Sequence, residues 1–352
     1  MSYSNINKST DYFNTKLYTG NNSTNAITGI GHKPDLVWVK KRNASADHIL
    51  FDAVRGVQKG IFSSRNSAEE TEGGTRGLNA FNSDGFTLGA EVTQMSGSCN
   101  DNNDTYASWN WKAGTTSGLS GGTITPSSYS INATSGVGIY TYAGTGSAGT
   151  ITHGLGSTPK MIIVKNINSP ESWRIYHSSL GATKNMILNS TGSVNTGSTY
   201  WNNTEPTNSV FTVGTAGGTN ESGDTYVAYA FAEKQGYSKF GSYVGNSGNN
   251  ADAPFIYTGF KTAFFLVKNT AQASAWEMYD NKRLGYNPNN YQLRANENAA
   301  EGATSDYVDF LSNGFKIRHQ GGGINETGDT FIYMAFAEAP LVGSNNVPAT
   351  AR

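Results

Sequence analysis

An alternation of large and small residues marks one stretch that the chain writes three times. The third copy runs Gly328-Asp329-Thr330-Phe331-Ile332-Tyr333-Met334-Ala335-Phe336-Ala337-Glu338, and the second Gly223-Asp224-Thr225-Tyr226-Val227-Ala228-Tyr229-Ala230-Phe231-Ala232-Glu233. The first is Asn103-Asp104-Thr105-Tyr106-Ala107-Ser108-Trp109-Asn110-Trp111. In the second copy Val227, Tyr229 and Phe231 fall on one side of the alternation, and Tyr226, Ala228, Ala230 and Ala232 on the other. A period of two is the signature of a strand, and β-branched and aromatic residues suit its heavier face. The alanines leave the lighter face open to close packing. Each copy therefore predicts the central strand of a repeated unit.

The neighbours of this strand recur in a fixed order. Lys16-Leu17-Tyr18-Thr19-Gly20, Tyr140 to Gly144 and Tyr243-Val244-Gly245 open the three units. A turn holding Pro34, Pro159 or Pro254 leads into an apolar run ending in Val-Lys: Leu36 to Lys40, Met161 to Lys165 and Phe264 to Lys268. Such a run reads as a buried strand, and the terminal lysine predicts the point where the strand leaves the core. Next come His48 to Asp52, Trp173 to His177 and Trp276 to Asp280. Asp84-Gly85 and Asn313-Gly314 each predict a hairpin turn; the second unit keeps only Ser209 to Val213 there.

The copies are spaced by roughly 100–125 residues, too far for a solenoid repeat of ~20–50 and suited to whole small domains. The expected fold is all-β: three tandem antiparallel β-sandwich or jelly-roll-like (lectin-like) repeats. The expected division is an N-terminal arm plus first repeat over 1–114, a Gly/Ser/Thr-rich linker over 115–135, repeats over 136–235 and 236–343, and a C-terminal tail over 344–352. That linker would put the first repeat on a longer tether than the other two.

Composition narrows the chemistry. Charged residues are 14 % of the chain, against about 25 % in ordinary domains. The net charge of -1 supplies no field for nucleic acid. A lone cysteine, Cys99, excludes an intrachain disulfide, and no apolar run is long enough to insert in a membrane as a helix. The polar opening, Met1 to Asp11, carries no apolar leader core, which predicts synthesis in a host cytoplasm and release by lysis.

No metal or cofactor is expected, because His32, His48, His153, His177 and His319 are scattered. Asp104, Asp224 and Asp329 are read as turn-stabilising acceptors in preference to calcium ligands. The acids Glu69, Glu70, Glu72, Asp306 and Asp309 fall in no glycosidase motif, and no nucleophile elbow or phosphate loop is present. The expectation is that the chain is not an enzyme. Of the tryptophans, Trp38, Trp109, Trp173 and Trp276 sit inside predicted strands and read as core. Trp201, with Tyr200, Asn202 and Asn203, reads as a loop aromatic at a partner or glycan contact.

Several motifs together are similar to a known family. They are Tyr18 to Asn21, Gly31-x-x-Pro34-Asp35-Leu36-Val37-Trp38-Val39-Lys40, Phe51-Asp52-x-Val54-Arg55-Gly56, Ser83 to Gly89, and Asp104-Thr105-Tyr106-x-x-Trp109-x-Trp111-Lys112-Ala113-Gly114. They resemble a repeated domain of unknown function found in virion structural and tail fibre proteins of marine tailed phages. The likeness is strongest over 12–114, moderate over 136–235 and weakest over 237–343. It implies a virion structural protein, either a capsid decoration or head appendage or a tail fibre component, whose partners are other virion proteins. It carries no catalytic signature. The alternative is a glycan-binding module that recognises host surface glycans during adsorption.

Overall fold

The computed structural model describes residues 4–350, apart from 91–94, 96–97, 304, 306 and 343–347. The fold is all-β, built from several antiparallel sheets, none closed into a barrel. Each Asp-Thr stretch is an interior strand. Thr105–Trp111 is paired with Phe13–Thr19 on one side and Leu36–Lys41 on the other. Thr225–Ala232 lies between Val137–Ala143 and Pro159–Asn166. Thr330–Pro340 lies between Ser238–Val244 and Phe260–Asn269. The next strand outward is Ile49–Asp52, Arg174–His177 or Glu277–Asp280. A smaller sheet covers one face of each large one. It contains the hairpin Leu78–Asn82/Gly85–Leu88 or Val308–Leu311/Gly314–Ile317 where the Asp-Gly and Asn-Gly turns predict it. In the second segment it is reduced to Gly149–Thr152 paired with Val210–Val213.

The two faces of the Asp-Thr strands go where their side chains send them. Tyr226, Ala228, Ala230 and Ala232 face the segment's own core beneath the smaller sheet. Val227, Tyr229 and Phe231 enter a second core that also holds Trp109, Trp111, Ile332, Met334 and Phe336. Trp111, Phe231 and Phe336 occupy the same place in the three copies, and they meet. Their ring centroids are 6.3 Å (Trp111–Phe231), 5.7 Å (Trp111–Phe336) and 6.1 Å (Phe231–Phe336) apart, each pair edge-on. Ile6 and Phe13 join this core from the N-terminal arm and first strand. The stretch after the first segment is held too: Thr115 bridges Ile131, Ile124 bridges Ile151, and Ile124 is buried.

A loop clasp is also made three times. Asn100, Asn220 and Asn325, each buried, stand four residues before their Asp-Thr. Asn220 Nδ2 donates to the Ser147 and Gly214 carbonyls at 2.7 Å each, and its Oδ1 accepts from Thr145 N at 2.8 Å. Asn100 and Asn325 repeat the pattern on Ser23, Gly89 and Asn21, and on Gly248, His319 and Asn246. The facing glycine must be a glycine. A Cβ on Gly20, Gly144 or Gly245 would lie 2.2, 2.0 or 2.2 Å from the carbonyl oxygen of Asp101, Glu221 or Glu326.

These contacts set the outcome of three substitutions, each read by urea unfolding. Phe231→Ala empties one corner of the aromatic triangle and costs about 3–5 kcal/mol. Asn220→Ala leaves the buried Gly214 carbonyl without its amide donor and costs about 1–3 kcal/mol. Gly144→Ala drives a methyl into a backbone oxygen and costs about 1–3 kcal/mol. An unchanged midpoint for Asn220→Ala would mean that the clasp does not hold the loop.

Candidate functional site

The three Val-Lys lysines do not leave the core, contrary to expectation. Lys40, Lys165 and Lys268 are fully buried. The pleat turns each one inward, and each ammonium finds a carbonyl of a neighbouring segment: Asn298 at 3.4 Å, Asn66 at 3.2 Å and Thr191 at 3.0 Å. Lys40 and Lys165 also donate to the next residue in their own strand, Lys41 and Asn166. First reaches third, second reaches first, and third reaches second, so the bonds join the segments in a ring. Burial lowers all three ammonium groups to about 8, with Asp47, Glu171 and Glu277 opposing that fall.

A second ring joins the same segments, with the second again donating to the first and the first to the third. Asp52, His177 and Asp280 end equivalent strands. Tyr229 of the second segment donates to Asp52 Oδ2 at 2.7 Å, and Trp109 of the first donates to Asp280 Oδ2 at 3.1 Å. Met334 holds the corresponding place in the third segment and has no such donor. There the acid is replaced by His177, whose Nε2 lies 3.1 Å from the Tyr333 carbonyl oxygen. Both aspartates are also paired with an arginine three residues on, Asp52–Arg55 and Asp280–Arg283, at 2.5 Å. Arg55 and Arg283 extend to Glu69 and Glu301 at 3.0 Å each. Burial of these charges is tolerated because every partner is present. The repeated Asp-x-x-Arg spacing is a signal that could have located this cluster. In the second segment Leu180 replaces the arginine, matching the loss of the acid.

The indole Nε1 of Trp173 donates to the Phe62 carbonyl at 2.8 Å, and that of Trp276 to Ile187 at 2.9 Å, again across segments. The Asp-Thr aspartates behave as acceptors. Asp224 accepts from Asn166 and Ser169, Asp329 from Asn269 and Gln272, and Asp104 from Lys41 and Asn43.

Trp201 does not present its ring to solvent. It is buried, edge-on to Tyr176 at 6.0 Å. A short helical turn, Ser198–Trp201, swings the indole under the smaller sheet, and Asn202 and Asn203 follow in left-handed conformation with φ near 50°. Tyr200 is half-buried beneath the Arg174 guanidinium, 4.2 Å from its ring centre. Only Asn202 and Asn203 of the four face water.

The candidate acids are dispersed among other partners. Glu69 pairs with Arg55 and Lys59, Glu70 with Arg65, and Asp309 with Arg318, while Glu72 accepts from Met95 N. Asp306 lies outside the described residues. Glu277, an acid without a sequence motif, is wholly enclosed, and burial raises its carboxyl above the ordinary range against hydrogen bonds from Tyr279 and Gln292. Among the described residues no group of three or more His, Cys, Asp or Glu is placed to hold a metal ion. Two grooves open at segment junctions, of about 650 Å³ beside Lys160, Glu233 and Tyr257 and about 430 Å³ beside Lys33, Asp35 and Tyr129.

The buried charges fix how stability follows pH. The unfolded lysines hold protons that the folded ones have lost between pH 8 and 10.5, so stability rises with pH from about 8. Above pH 10 the buried tyrosines Tyr140, Tyr142 and Tyr229, raised by burial, reverse the trend. Urea midpoints between pH 7.5 and 9.5 should climb, and Lys165→Met should remove about a third of that slope. For Glu277 the folded group holds its proton to higher pH, so its contribution is full in acid and lost as pH rises. Glu277→Gln should therefore raise the melting temperature at pH 7 and leave it unchanged near pH 4.

No curated protein and no solved structure matches the chain. Residues 8–340 match, in a single stretch, a domain of unknown function (DUF7483). That stretch spans all three Asp-Thr strands, both rings and the aromatic triangle. The chain belongs to the DUF7483 family.

Proposed function

We propose that this protein is a structural component of a tailed-phage virion, acting by assembly and not by catalysis. Its place would be the capsid surface, as a decoration or head appendage, or the tail fibre. Its partners would be other virion proteins, and it would be made in the host cytoplasm and released by lysis. The observation that carries the reading is how the reactive side chains are used. Lys40, Lys165, Lys268, Asp52, Asp280 and His177 all point inward, and each bonds across segments. Groups so committed serve shape. The motif resemblance of residues 12–114 to virion proteins supports the setting.

The same reading takes the fold as three jelly-roll-like, lectin-like copies of one unit set around a pseudo-three-fold axis through Trp111, Phe231 and Phe336. A single chain of this form offers three nearly equivalent outer faces and can occupy a three-fold position on a particle as a monomer. Antibody raised against the purified chain and viewed on particles released from lysed host tests this. Label at a fixed capsid or tail position is expected. Particles that hold the other structural proteins but bind no antibody, and contain no peptide of this chain by mass spectrometry, would refute it.

A further inference from the structure

We propose that the two open junction grooves bind acidic saccharides, the carboxylate-bearing class of glycan. The larger groove is lined by Lys160, Glu233, Lys239 and Tyr257, with hydroxyls from Ser157 and Thr158. The smaller is lined by Lys33, Asp35, Lys112 and Tyr129, with hydroxyls from Ser127 and Ser128. Each thus gathers two lysines, one carboxylate, one tyrosine and a set of hydroxyls.

This likeness is not inherited from equivalent positions. Lys33 precedes the turn proline, whereas Lys160 follows it. Tyr129 lies on the edge strand Ser128–Asn132, whereas Tyr257 ends the strand Phe255–Tyr257 of a smaller sheet. The same set of side-chain types is thus assembled from different positions at the two junctions.

The charges within each groove are unequal in availability. Asp35 is occupied by Ala113 N at 2.8 Å and Ser130 Oγ at 3.2 Å. Glu233 is occupied by Lys239 Nζ at 3.1 Å and Phe240 N at 3.2 Å. Among the described residues no carboxylate stands within ion-pair distance of Lys33 or Lys160. Each groove therefore offers an ammonium with no carboxylate partner, Lys33 or Lys160, to an anion, while Lys239 is held by Glu233. Tyr257 is 54 % exposed and supplies a flat apolar face for the C–H side of a sugar ring. Ammonium, hydroxyl and aromatic face together suit a carboxylated sugar better than a bare anion or a neutral sugar.

The third junction is the internal contrast. Thr10, Phe13 and Asn14 fill it, leaving about 20 Å³ beside Lys282 and Glu338, with no tyrosine in its lining. The inference is independent of the virion reading, since the grooves are the same on a particle or in free solution.

Isothermal titration of the full chain tests it, with oligogalacturonate, neutral maltohexaose of similar length, and inorganic phosphate as probes. Oligogalacturonate should bind at two sites per chain, maltohexaose at least about tenfold more weakly, and the affinity should fall with added salt. Lys160→Ala or Tyr257→Ala should reduce the count to one, Lys33→Ala likewise, and the Lys33→Ala/Lys160→Ala pair should abolish binding. Lys282→Ala should change nothing. These lysines reach solvent, and melting curves check that each variant is folded. Absence of oligogalacturonate binding, equal binding of maltohexaose, full displacement by phosphate at equal concentration, or an unaltered count in the double variant would each overturn the proposal.

Discussion

The contact on which everything else rests is the meeting of Trp111, Phe231 and Phe336 at the centre. Each ends the heavy face of an interior strand, and each touches the other two. No one sheet can enclose that face, because its own smaller sheet already covers the opposite one. Burial of large aromatic surface is the strongest term available to a chain with little charge and few helices. It fixes how close the three large sheets must come, and hence which backbone atoms are cut off from water.

That closeness explains the polar rings. Strand ends and loops pressed together around an apolar centre leave carbonyls with no solvent, and an unpaired buried carbonyl is expensive. Lys40, Lys165 and Lys268 supply donors long enough to reach across a junction. The indoles of Trp173 and Trp276 do the same nearer the middle. Charged donors are costly to bury, and the fall of the three lysines toward neutrality is the direct expression of that cost. The exchange of Asp for His177 where Met334 replaces Tyr or Trp shows the same rule at single-residue scale. When the donor goes, the acceptor goes with it.

Much of the fold was legible because period-two alternation states which face of a strand is heavy. Val227, Tyr229 and Phe231 sort from Tyr226, Ala228 and Ala230 by pattern alone, and Asp84-Gly85 and Asn313-Gly314 announce their hairpins. Lys40, Lys165 and Lys268 were misread as exits, because a lysine ending an apolar run normally meets water; here carbonyls of the neighbouring segment, and for Lys40 and Lys165 of the lysine's own strand, keep it inside. The burial of Trp201 was hidden for a related reason. Its polar neighbours describe the chain around it, not the helical turn that points the indole inward. The clasp asparagines Asn100, Asn220 and Asn325 were visible at a constant distance from Asp-Thr, but asparagine is so common in this chain's turns that the spacing did not stand out. The grooves had no signature at all, since their lysines and tyrosines come from positions far apart in sequence.

The two rings join the same three segments, and this has a consequence for any shorter chain. A polypeptide carrying one such segment alone would present a wide aromatic face, beside a lysine without its cross-segment carbonyl and an acid left with its own arginine. Water would solvate those polar groups but not the aromatic face, whose exposure favours association. In the present chain the three strands that bear this face, and with it Trp111, Phe231 and Phe336, lie on one polypeptide. Their meeting therefore does not depend on dilution.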